Sequence, residues 1–133
     1  MIVDRTDQTT RELKSNRKHK ISCGLLSLMM ISMGALHIAV PAPFQKTISS
    51  FLPYSLALVL LSGLCEIAGG IGIQIPKTRK LAAYGLIALY IAVFPANVNM
   101  AIHSSQFGSP WILWLRLPFQ IPLIWWAWTC RLP

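Results

Sequence analysis

"ISCGLLSLMMISMGALHIAV", Ile21 to Val40, is a run of twenty residues without Asp, Glu, Lys or Arg, and it follows directly on Arg17, Lys18 and Lys20. As a helix it reaches roughly 30 Å, the thickness of a bilayer's hydrocarbon layer. A secretory signal peptide also begins with basic residues before an apolar stretch. This run, however, is longer than an ordinary signal core, and Pro41 and Pro43 crowd the place where cleavage would fall. The expectation is a retained membrane span.

The rest of the chain repeats the pattern. Its 133 residues suit one domain, 54% hydrophobic and 12% charged, where soluble domains average about 25% charged. Nine of the charged residues lie in the first twenty positions and seven in the remainder. Three further apolar stretches follow, at 54–75, 81–101 and 111–128. In the last of them Trp111 and Trp114 stand at one end and Trp125, Trp126 and Trp128 at the other, an aromatic-belt pattern. The fold class expected is all-α, a four-helix transmembrane bundle over residues 21–130 with spans at about 21–40, 54–75, 81–101 and 111–128. Residues 1–20 are expected as a basic tail, disordered or lying on the headgroups.

Charge gives the direction. Six Lys/Arg in the tail, three in "PKTRK" (76–80) and Arg131 fall on one side, against Lys46 alone on the other. Both termini are therefore expected in the cytoplasm, in a multi-pass protein of the cell membrane. The net charge of +8 is explained by this placement, so nucleic acid is not an expected partner and the lipid bilayer is. Cys23, Cys65 and Cys130 are odd in number, lack a C-x-x-C spacing and fall in or beside apolar runs. They read as buried small hydrophobes, and no disulfide framework is expected.

A bundle that only fills space needs no polar groups at depth. Here Glu66 is the one carboxylate after residue 12, Arg116 lies within the fourth apolar run, and His37, Asn97 and Gln120 accompany them. Counting 1.5 Å per residue puts His37, Asn97 and Arg116 roughly 6–7 Å below the outer boundary, Gln120 roughly 14 Å and Glu66 roughly 18 Å. Arg116 and Gln120, four apart, share a helix face. Arg116 reaching toward Glu66, and a protonated Glu66 held by Gln120 or a water, are both compatible with these depths. Pro95 frees the carbonyl of Ile91, and Pro118 and Pro122 repeat the device in the fourth run. Such breaks are tolerated where a cavity or polar side chains satisfy the loose backbone. The candidate site is thus a polar pocket in the outer half built from His37, Glu66, Asn97, Arg116 and Gln120, against a plainer reading as glue between helices at about 1 kcal/mol or less each. His37 is no metal site, for want of two more ligands. "GGIG" (69–72) lacks the lysine of a phosphate loop, and Gly63, Gly69, Gly70 and Gly72 read as close helix contacts. No metal and no catalytic residues are expected, and the cofactor is unknown. Enzyme action is not supported.

Three phrases together, "SGLCEIAGGIGIQIPKTRKLAAYGL" (62–86), "VFPANVNMA" (93–101) and "RLPFQ" (116–120), resemble the DoxX family of small membrane proteins in its DoxX-like branch. Gly34, His37 and Phe44 in "GALHIAVPAPF" are similar to that branch's first-span motif. The resemblance covers about Gly34 to Trp128 and implies a four-helix membrane bundle. The matching positions are Glu66, Pro76, Arg79, Pro95, Asn97, Arg116, Pro118 and Gln120. It further implies company with redox systems, since the family takes its name from a subunit tied to quinone-linked sulfur oxidation. Certain wider relatives carry cysteine pairs for thiol redox work, which this chain is expected to lack. The expected function is a non-catalytic membrane subunit or scaffold beside a redox or respiratory partner. The alternative is a binder or carrier of a small amphiphile, quinone or lipid, in the outer-half pocket.

Overall fold

A computed structural model of the chain describes residues 2–48, 52–103, 105 and 109–133. The described residues are helical apart from short turns: α1 (Ile2–Ala39), α2 (Ala42–Ile48), α3 (Ser55–Gln74), α4 (Arg79–Ile102) and α5 (Pro110–Thr129). Each of the four apolar stretches folds as one helix. α1, α3 and α4 are long and apolar enough to cross a membrane. α5 matches α3 in length but carries Arg116, Gln120 and two internal prolines. Pro41 stops α1 and Pro110 opens α5, each where a missing N–H is harmless.

The tail differs from expectation. Residues 2–20 are helical and continuous with the first apolar run. Local chemistry accounts for it. Asp7 and Arg11 pair at 2.7 Å one turn apart, Thr9 and Thr10 hydroxyls donate back to the carbonyls of Arg5 and Thr6, and the folded span supplies a nucleus to extend.

Consecutive long helices pack antiparallel. α1 and α3 make the most extensive contact, in a strict register: Gly34 lies opposite Gly63, the Ser27 hydroxyl donates to the Gly70 carbonyl, and the Gln74 amide donates to the Cys23 carbonyl at 3.1 Å. An added Cβ on Gly63 would stand 2.8 Å from the Gly34 carbonyl oxygen, and one on Gly34 would strike the Gly63 carbonyl. Only glycine permits this approach. Between α3 and α4 the turn is closed by Arg79, whose Nε donates to the Ile73 carbonyl at 2.8 Å, and by Thr78, whose hydroxyl donates to Gly72 at 3.0 Å. The Arg79 bond satisfies a carbonyl near the end of α3, and the Thr78 bond adds to the one that the Ile75 N–H already makes to Gly72.

The core is a narrow column of Leu26, Met30, Ile73, Leu86, Tyr90 and Ala127. Leu28, Leu61, Leu81, Ile91, Phe119 and Ile121 point outward and are more than half exposed, as a lipid-facing surface requires.

The cysteine reading is corrected. Cys23 at the start of the apolar part of α1 and Cys130 just past α5 form a disulfide, their Cα atoms 5.6 Å apart. The two lie 107 residues apart in sequence, and only the docking of α5 against the base of α1 brings them together. Cys65 is free and exposed.

Candidate functional site

The glycines that draw α1 and α3 together also place their polar residues. Each helix reads Gly-x-x-polar: Gly34 then His37, Gly63 then Glu66. A Cβ on Gly34 would press on Glu66 Cβ at 3.1 Å, and one on Gly63 on His37 Cβ at 2.9 Å, so each glycine makes room for the other helix's polar side chain. Side chains lean toward the N-terminus of their own helix, and in antiparallel neighbours those leanings converge. His37 Nδ1 thus comes within 3.4 Å of Glu66 Oε2, with both side chains nearly buried. The depths counted from straight spans, which separated these two residues widely, are corrected. The register sets the end of α1 about one turn short of the start of α3, which brings His37 and Glu66 closer in level than the count gave.

Nδ1 of His37 also lies 2.8 Å from the carbonyl of Met33, and the ring of Phe44 on α2 stacks over the imidazole with centroids 4.0 Å apart. Beyond its ion pair with His37, the buried Glu66 Oε2 accepts no hydrogen bond. Glu66 is paired with His37, and neither Arg116 nor Gln120 takes that place.

The second polar group lies between α4 and α5. Asn97 Nδ2 donates to Gln120 Oε1 at 3.0 Å, and Gln120 Nε2 donates to the carbonyl of Tyr90. That carbonyl is the neighbour of the Ile91 carbonyl, which Pro95 deprives of its donor. Gln120 is 5% exposed, and it forms the one polar member of the wall of an apolar groove of about 430 Å³ lined by Ile91, Phe94, Leu117, Pro118, Ile121 and Ile124. Pro118 stands in that wall, so the proline break and the open space coincide. One turn along α5, Arg116 is exposed, its Nη1 3.7 Å from Met100 Sδ.

The five predicted residues therefore divide into two clusters. His37 and Glu66 form a closed pair; Asn97 and Gln120 form another, with Arg116 beside it. Sequence reasoning missed Tyr90, buried on α4, whose hydroxyl donates to Met30 Sδ at 2.8 Å and whose carbonyl anchors Gln120. It also missed Phe44 as the cover of His37. The repeated Gly-x-x-polar spacing was the available signal for the first pair; for Tyr90 no local signal exists.

Among the described residues no group of His, Cys, Asp and Glu is placed to hold a metal ion. What the arrangement offers is an apolar slot with one buried amide, Gln120, in its wall, and Asn97 and the exposed Arg116 nearby as further hydrogen-bond donors. No curated protein and no solved structure is matched by the chain. The profile of a domain of unknown function, DUF8561, matches residues 26–131, which takes in the C-terminal part of α1, all of α3, α4 and α5, and every residue of both polar clusters. The chain belongs to the DUF8561 family.

Proposed function

We propose that this protein is a four-span membrane bundle of the DoxX-like kind, both termini in the cytoplasm, that binds a small amphiphile between α4 and α5. The observation that carries the reading is Gln120: a buried amide, anchored at both ends, set in the wall of an otherwise apolar groove. A space of about 430 Å³ suits a small ligand or a length of prenyl or acyl chain. Asn97, Gln120 and Arg116 then meet the polar head, for which a quinone carbonyl or a lipid phosphate has the right acceptors. His37 and Glu66 serve to hold α1 against α3. The orientation is supported by the ten-to-one distribution of basic residues, and the fourth span by the length of α5 and its two tryptophan girdles.

The test is organic extraction of protein purified in mild detergent, followed by mass spectrometry and an absorption spectrum. A stoichiometric quinone or one enriched lipid is the expected result; protein carrying only a bulk mixture of membrane lipids contradicts the reading.

A second reading, a non-catalytic subunit beside a redox or respiratory partner, is supported by a different feature. The outer face of α3 and α4 forms a broad groove of about 770 Å³ lined by small residues, among them Ala68, Gly72, Gly85, Ala88 and Ala92. Such a surface lets a partner helix approach closely. Co-purification of a stoichiometric partner supports it, and repeated isolation of the chain alone counts against it.

A further inference from the structure

The seam between α1 and α5 is the slightest of those between neighbouring long helices, and its described bonds gather at one end. Trp126 Nε1 donates to the Ser22 hydroxyl at 2.8 Å, His19 Nε2 lies 3.1 Å from the Leu132 carbonyl, and the Cys23–Cys130 disulfide stands between them. That end carries Lys18, Lys20 and Arg131 and is the end the proposed orientation places in the cytoplasm, on which the compartment of this inference rests. Thiols there are held reduced, so a disulfide in that position exchanges with the thiol pool rather than persisting as a permanent staple.

We propose that Cys23 and Cys130 form a thiol–disulfide exchange site for small anionic thiols of the glutathione class, and that its redox state fastens or frees α5 at the base of α1. Three observations support it beyond the bond itself. His19 Nε2 stands 3.7 Å from Cys23 Sγ, one helical turn away, in position to hand a proton to a departing thiolate. Lys18, Lys20 and Arg131 give the approach a positive field. Cys130 is fully buried, and the residues that follow it, 131–133, are non-helical, the kind of segment that opens at low cost.

The step balances. An incoming small thiol gives its proton to the His19 imidazole and attacks Cys130 Sγ as a thiolate, forming a mixed disulfide there. Cys23 leaves as a thiolate that takes that proton back from His19. A second small thiol attacks the mixed disulfide, releasing Cys130 as a thiol and the small molecule as its disulfide. Two small thiols are oxidised, and the protein disulfide is reduced to two thiols.

The test uses the full chain with Cys65→Ala, in native membranes, equilibrated against glutathione buffers of graded reduced-to-oxidised ratio and quenched with an alkylating mass tag. The doubly tagged band is expected to rise smoothly across the series. In the Cys23→Ser, Cys65→Ala chain, oxidised glutathione is expected to add one glutathionyl mass on Cys130. Hydrogen exchange over residues 19–26 is expected to rise when the pair is reduced. A pair that stays oxidised in excess reduced glutathione, yet opens to a strong dithiol, overturns exchange. So does a pair that stays reduced in excess oxidised glutathione. Unchanged hydrogen exchange overturns the fastening role. Accessibility of epitopes at each terminus reads the orientation separately: termini outside the cytoplasm overturn the compartment argument, while the buffer series still decides exchange.

Discussion

The α1–α3 seam and the α4–α5 seam each bury polar side chains, yet they are built on opposite principles. Glycine carries the first. Gly34 and Gly63 bring backbone against backbone, and the space left is filled by His37 and Glu66 reaching for each other. Proline shapes the second. Pro95 and Pro118 each remove a hydrogen bond from within a continuous helix, Pro118 lines a groove between α4 and α5, and Gln120 reaches across to the Tyr90 carbonyl. Small residues close the first seam, whereas the second keeps an open groove beside a proline. On the proposed reading, polar side chains in the two seams have two meanings in one molecule, and the neighbouring Gly or Pro tells them apart.

The comparison breaks most readily at the tight seam. Gly34→Val or Gly63→Val places a branched side chain on a backbone carbonyl, and a loss of about 3 kcal/mol or more is expected, read as failure to fold in detergent. Next is His37→Ala, which leaves a buried carboxylate without its ion-pair partner. About 3 kcal/mol of destabilisation is expected by thermal or denaturant unfolding, with most of it recovered in the double change His37→Ala, Glu66→Leu. At the open seam the stability effects shrink. Gln120→Leu costs about 1 kcal/mol, because it leaves the Asn97 amide without its acceptor. Pro95→Ala is expected to move stability by less than about 1 kcal/mol, since it restores a helical bond but straightens α4, and to lower amphiphile retention by narrowing the groove. A Pro95→Ala protein that binds amphiphile as well as the native chain denies proline its role.

The coarse architecture was legible because apolar length is a one-dimensional signal. Twenty uncharged residues before Pro41 specify a helix end whatever packs against it. The helical tail was less so, since its stability borrows from the span it joins. The pairing of Cys23 with Cys130 left no trace in spacing, because it is made by the closing of helices far apart in sequence. Within the site, Arg116 and Gln120 could be placed on one face from their four-residue interval. The partner of Glu66 could not, since it depends on the register of α1 on α3. That register is written in Gly34 and Gly63, and depth counting from the ends of apolar runs overlooks it. The hydroxyl and carbonyl of Tyr90 become structural only once Met30 and Gln120 arrive from other helices.

The division between the seams is tested most directly by extracting and quantifying bound amphiphile from the native protein, Gln120→Leu and Glu66→Gln, each shown to be folded. Ligand lost from Gln120→Leu and retained in Glu66→Gln is the predicted result. Ligand retained in Gln120→Leu, or lost only from Glu66→Gln, would contradict the assignment of binding to the α4–α5 groove.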